Sequence, residues 1–247
     1  ARAQARGMAV GLYRDLAVGV NEGGSETWMR PRLHALGVHA GAPPDELNPV
    51  GQDWGFPPVI PQRLADEGFE SFVDVLRANM RHAGALRIDH VMGLMRLFWL
   101  PPDRPRRVGA YVAYPMEALF GLVCLESRRR RCIVIGEDLG IVPPEVREAM
   151  ARHAMLSYHP LYFEQDWEAG RYKAPRDWPA RALASVSTHD LPTLRSYWTG
   201  FDLKLRDALG LYRDAALRAG HLVRRERERP ALLDAPDAHA PVPAGRR

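Results

Sequence analysis

The sequence predicts an α/β fold of the (β/α)8 TIM-barrel type, incomplete in its strand count. Three observations predict it. Apolar runs that read as strands alternate along the chain with segments of helical periodicity, the pattern of parallel βα units. Several of these runs end in acids, as in Ala85-Leu86-Arg87-Ile88-Asp89-His90, Cys132-Ile133-Val134-Ile135-Gly136-Glu137-Asp138 and Leu183-Ala184-Ser185-Val186-Ser187-Thr188-His189-Asp190. On a barrel that strand end is the face that carries catalysis. Only about five such strands are legible, beginning near Met8, Ala85, Cys132, Leu156 and Leu183, whereas a closed barrel needs about eight.

Taken in order, residues 8–13 form an apolar run that leads into Arg14 and Asp15. Residues 21–61 are rich in Gly and Pro, carry little periodicity, and predict a long structureless insertion of the kind that is functional or disordered. A helix over 70–83 follows, because Phe72, Val73, Leu76 and Met80 share one face. Gly84 stops it before the Asp89 strand. Residues 96–101 are another apolar segment stopped by Pro101, and a helix covers about 116–127. The Glu137 strand leads to Pro143-Pro144-Glu145, a good helix start with Pro and an acid in the first turn, and that helix runs to about His153. A strand over 156–163 ends at Glu164, which reads as a solvated strand end, and 165–176 reads as a loop. After the Asp190 strand a last helix spans about 203–219. The domain reading is a partial catalytic barrel over 1–222 and a low-complexity tail over 223–247. That tail, with its mixed charge run and its Ala- and Pro-rich end, cannot bury enough surface to offset its ordering entropy.

The strand ends carry the chemistry. Arg87 and Asp89 are two positions apart, so in a strand they face the same side. A guanidinium beside a carboxylate favours the ionised form, which a nucleophile on a sugar requires. The alternative is a structural ion pair, and the repeated strand-end acids at Glu137 and Asp190 weigh against it. Asp15 repeats the pattern once more, or else caps a turn. In the insertion, Trp54 and Gln52 suit a sugar, whose apolar face stacks on a ring while amides bond its hydroxyls, although Trp54 could equally pin the loop.

With these motifs in hand, the chain closely resembles the amylomaltases, the 4-α-glucanotransferases of glycoside hydrolase family 77. RIDH, GEDLG and STHDLPT occur in the family's order and spacing, and the likeness runs from about Gly7 to about Leu211. The resemblance implies that Asp89 is the nucleophile, Glu137 the acid/base and Asp190 the third acid, with Arg87 and His189 as supporting contacts. It matches YRDLAVGV to the third barrel strand, so that the five strands become strands three to seven, and sets Asp15 at the rim of the sugar site. The GQDWG match places Gln52, Trp54 and Asp45 near the sugar subsites. It implies a retaining transfer of an α-1,4-glucan segment to an acceptor sugar, with no cofactor. The competing readings are an α-glucan hydrolase of the amylase type and an inactive glucan-binding fragment.

Composition bounds the rest. The 247 residues carry a net charge of +4 and are 46% hydrophobic, enough for a sizeable core. No basic face with interleaved aromatics argues for nucleic acid, and no apolar run of roughly 20 residues argues for a membrane span. No signal segment opens the chain. Cys124 and Cys132 form neither a disulfide framework nor a metal motif, and no His pair stands at ligand spacing, so a metal-free protein of the cytoplasm is expected. The missing strands lead to the expectation of a fragment with exposed strand edges.

Overall fold

The computed structural model describes residues 2–45, 50–101, 105, 108–166 and 168–234. The chain divides into two units, residues 1–158 and 159–247.

The first unit begins with a short helix α1 (Arg2–Ala5) and strand β1 (Tyr13–Leu16). Helix α2 (Ser25–Met29), strands β2 (His39–Ala42) and β3 (Gln52–Asp53), and helices α3 (Pro61–Asp66) and α4 (Glu70–Met80) lead to β4 (Ala85–Ile88). Strands β5 (Arg96–Leu100) and β6 (Ala110–Ala113), helix α5 (Met116–Arg130), strand β7 (Ile133–Gly136) and helix α6 (Pro144–Arg152) complete it, up to the start of β8 (Ser157–Pro160). Strands β1, β4 and β7 pair in parallel in that order, with Asp15 opposite Arg87 and Arg87 opposite Ile135. Ile135 also bridges Leu156 in parallel. This is the βα order that the alternating pattern predicts.

Helical spacing puts Leu76 and Met80 of α4, Leu119, Phe120 and Val123 of α5, and Val146 and Met150 of α6 into one core with Leu86, Ile88 and Val134 of the sheet. Every residue of β4 is buried, as expected for a central parallel strand covered on both faces. Fully burying one such side chain stabilises by ~1.5–3 kcal/mol. Gly84 is required at the entry to β4, because a Cβ there would stand 1.7 Å from the Val10 carbonyl oxygen. Gly136 ends β7 for a related reason: a Cβ would meet Met150 Cε at 2.8 Å and Val91 Cγ2 at 3.0 Å. The backbone that presents Glu137 therefore sits directly on the core.

Three expectations are corrected in this unit. The strand expected over 8–13 lies at Tyr13–Leu16, because Gly11 takes φ +79° and breaks the extended run, leaving Met8 and Val10 exposed. Asp15 is accordingly inside the strand. Residues 21–61 are not structureless. Strands β2 and β3 join β5 and β6 in a four-stranded antiparallel sheet in the order β3-β2-β5-β6. Its partners come from residues 96–113, so no local pattern in 21–61 announces it. The helix expected to reach residue 83 ends at Met80.

The second unit takes the rest of β8, then β9 (Gln165–Asp166) and β10 (Arg171–Tyr172), which pair antiparallel where a loop was expected. Strand β11 (Ala182–Ser185) and helices α7 (Leu194–Thr199), α8 (Phe201–Ala208) and α9 (Ala215–Leu233) follow. The charge run Arg224–Arg229 therefore lies within a helix that crosses the expected boundary at 222/223. Its buried charge is paired. The Arg225 guanidinium donates to both Asp202 oxygens at 2.8 Å and lies 3.7 Å over the Tyr197 ring, and Tyr197 Oη donates to Glu228 at 2.5 Å. Residues 235–247 of the expected tail lie outside the described residues.

Candidate active site

Parallel register builds the centre of the first unit. Because Asp15 and Arg87 are register partners on adjacent strands, their side chains leave the same face. Arg87 Nη1 donates to Asp15 Oδ1 at 2.8 Å and Oδ2 at 2.9 Å, and its Nη2 lies 2.7 Å from Asp89 Oδ1. The guanidinium is buried and sits 5.6 Å from the centre of the Tyr158 ring. Burial works against its charge, but the Asp15 bond and the charges of Asp89, Asp15 and Glu137 outweigh it and raise its pKa above the ordinary arginine value. Asp89 is thus oriented by a rigid cation while its own side chain stays 35% exposed.

Glu137 follows Gly136, the register partner of Ile88, just as Asp89 follows Ile88. The two acids therefore emerge at matching positions of adjacent strands. Their surroundings differ. Glu137 is only 8% exposed. Its Oε1 accepts the Leu139 amide at 2.8 Å and its Oε2 the His90 amide at 2.9 Å. Burial raises its pKa above the ordinary glutamate value; the two amides pull the other way, the Asp89 charge adds to the rise and Arg87 opposes it. A carboxyl whose pKa is raised by burial, beside an oriented carboxylate, is suited to supply a proton to a leaving group while its neighbour attacks.

Asp138, the other half of the carboxylate pair, is structural. It is buried, and its Oδ1 accepts the Tyr158 amide at 3.0 Å while Oδ2 meets Arg147 at 3.4 Å. His90 entered the sequence reading only as part of a motif. It takes φ +45° and ψ +63°, and burial pushes its imidazole pKa down to about 4. The one available signal was its residue type, since His is among the few residues enriched in the left-handed region.

The β2–β3 sheet brings its predicted residues partly into this group. The Trp54 ring meets the His90 ring edge-on at 5.0 Å, and its indole N–H donates to Gln52 Oε1 at 2.8 Å. Gln52 and Trp54 thus hold one another. Asp45 is half-buried in the loop after β2. A cavity of about 220 Å³ has Asp89 and His90 in its wall with Leu16, Val59, Phe72 and Tyr114.

His189 and Asp190 belong to the second unit. They lie in a turn after β11, with side chains 66% and 69% exposed and His189 Nε2 3.2 Å from Asp190 Oδ2. The Asp190 amide donates to Thr188 Oγ1 at 3.1 Å, and Thr193, the last residue of the same motif, caps α7 by accepting the Ser196 amide at 3.2 Å. Glu164, expected to be solvated, is buried and stands 2.5 Å from His159 Nδ1 and 3.4 Å from Lys173 Nζ. Among the described residues, no three His, Cys, Asp or Glu side chains group as metal ligands, and no helix is long and apolar enough to cross a membrane.

The 4-alpha-glucanotransferase model of glycoside hydrolase family 77 matches residues 1–240. A 4-alpha-glucanotransferase of Haemophilus influenzae is 43% identical over 228 residues, which is 92% of this chain and 32% of that protein. One of Mycobacterium tuberculosis is 45% identical over 208 residues, 83% of this chain and 29% of that protein. Among solved structures, amylomaltase from Corynebacterium glutamicum superposes with a TM-score of 0.90 at 36% identity, over 98% of this chain and 34% of that one. The chain thus spans about a third of the length of the relatives it matches. Its fold is α/β and similar to that amylomaltase, and the chain belongs to the 4-alpha-glucanotransferase family, glycoside hydrolase family 77.

Proposed function

We propose that the protein is a 4-α-glucanotransferase that moves a segment of an α-1,4-glucan to an acceptor sugar by retaining double displacement. One observation carries the reading: two carboxyl groups leave adjacent parallel strands at matching positions, one oriented by Arg87 and the other buried with a raised pKa. In this reading Asp89 attacks the anomeric carbon and forms a glycosyl ester. Glu137 gives its proton to the leaving oxygen and then takes one from the acceptor's 4-hydroxyl. Arg87, anchored by Asp15, aims Asp89. Asp190, with His189, bonds ring hydroxyls as the ring flattens toward the oxocarbenium state. Gln52, Trp54 and Asp45 line the path of the glucan, and no cofactor takes part. The strands β1, β4, β7, β8 and β11 are read as strands three to seven of an eight-stranded barrel, consistent with their order along the chain and with the amylomaltase likeness.

The test is product analysis with maltotriose. A ladder of longer maltodextrins together with glucose is the expected result. Shortening alone would assign a hydrolase, and no turnover by the protein at its native length would overturn the reading.

A further inference from the structure

We propose that His90 is a positioning residue for Glu137: its left-handed backbone turns two successive amides, its own and that of Val91, onto residue 137. The proposal rests on the acid/base role given above to Glu137. The His90 amide donates to Glu137 Oε2 at 2.9 Å and the Val91 amide to the Glu137 carbonyl at 3.0 Å. A residue of the left-handed region interrupts the chain here, so that the two successive N–H groups turn toward residue 137, one to its carboxylate and one to its carbonyl oxygen. At φ +45° and ψ +63°, His90 supplies that interruption without being glycine. The Gly93 amide donates to the His90 carbonyl at 2.7 Å and so ties residue 90 to the following 3-10 turn, Val91–Leu94. The His90 ring packs against Trp54 with centroids 5.0 Å apart, and Trp54 is itself bonded to Gln52.

The ring's chemistry suits the position. Burial lowers the imidazole pKa to about 4, so the ring adds no full positive charge to this turn at pH 7. The other charged groups that act on Glu137 are Asp89 and Arg87 of the β4 end, with Asp15 behind Arg87 on β1. Asp138, next in sequence, is turned toward Tyr158 and Arg147. None of these changes when residue 90 is substituted.

The experiment compares His90→Gly, which accepts the left-handed backbone, with His90→Val, whose branched Cβ disfavours it. Glu137→Gln serves as the reference, and all are assayed on maltotriose across pH. Loss of an amide bond to the charged form raises a carboxyl pKa, and a general acid works only below its pKa. The alkaline limb of kcat should therefore move to higher pH in His90→Val, with kcat down about tenfold and KM little changed. In His90→Gly the limb should stay with the parent's. A far-UV circular dichroism melt separates a misfolded His90→Val from a mispositioned one. If that variant does not fold, His90→Thr, also branched at Cβ, takes its place. Limbs that coincide in the Gly and branched variants would overturn the proposal. If Glu137→Gln itself keeps the alkaline limb, the acid/base assignment fails instead, so the two failures are distinguishable.

Discussion

The ends of β4 and β7 are register neighbours that treat their acids in opposite ways. At β4 the carboxylate is partly open to solvent and bonded by a buried guanidinium. At β7 it is almost wholly buried and bonded by two neutral amides. A full positive charge favours the ionised acid, whereas burial favours the protonated one, and this separation is what a nucleophile and a proton donor need. The division continues one residue on. Asp138 leaves the other side of the chain and is used to hold the start of β8 through the Tyr158 amide. Position on a strand, and not residue type, therefore separates a candidate catalytic acid from a structural one.

The largest effect should come from Asp89→Asn, because an amide cannot act as the anionic nucleophile. Transfer from maltotriose should fall ~10³-fold or more, the scale on which removal of a covalent nucleophile acts. Steady-state turnover within tenfold of the parent would place the nucleophile elsewhere.

Glu137→Gln should lower transfer from natural glucans about 10²-fold or more while sparing the first step from a glycosyl fluoride, whose leaving group needs no proton. Equal loss on both donors would remove the contrast between the two strand ends. The same residue makes a stability prediction. With a raised folded pKa, its contribution is fully present below the ordinary glutamate pKa and is lost as pH rises through the folded value. The melting temperature of the parent should therefore decline over that window relative to Glu137→Gln, and matching pH profiles would contradict the raised pKa.

Arg87→Lys keeps the charge but loses the fork that reaches Asp15 and Asp89 together. A drop of roughly tenfold in kcat with modest change in KM is expected, since geometry and not charge is lost. An unchanged kcat would mean that the guanidinium orients nothing. The smallest kinetic effect belongs to Asp138→Ala. It leaves the buried Tyr158 amide without its acceptor, costing ~1–3 kcal/mol of stability. A denaturant titration should show that loss while kcat falls far less than in Glu137→Gln.

Much of this was legible in the chain. RIDH and GEDLG marked the ends of β4 and β7, whereas STHDLPT lies beyond the end of β11 in a turn, and β4, β7 and α4–α6 stand close to where the apolar pattern sets them. Local patterns failed where the deciding contact came from far away. β2 and β3 sit in Gly- and Pro-rich sequence and exist because β5, more than fifty residues after β2 begins, pairs with β2. The run Arg224–Arg229 falls in the tail expected to be disordered, yet it is helical, and Asp202 and Tyr197 meet its Arg225.

The sequence by itself determined that Asp89 and Glu137 follow apolar strands and which helices have a face to bury, because these follow from periods of 2 and 3.6 residues, while the family resemblance came from the motifs RIDH, GEDLG and STHDLPT. Only the tertiary structure decided that Asp15 anchors Arg87, that of two buried neighbours Glu137 is held by the His90 and Leu139 amides while Asp138 braces Tyr158, and that a left-handed His90 points its amide at Glu137. Those outcomes depend on parallel register and on which neighbouring backbone each side chain meets. Neither is a property of any local stretch of the chain; both arise only when strands separated by dozens of residues lie side by side.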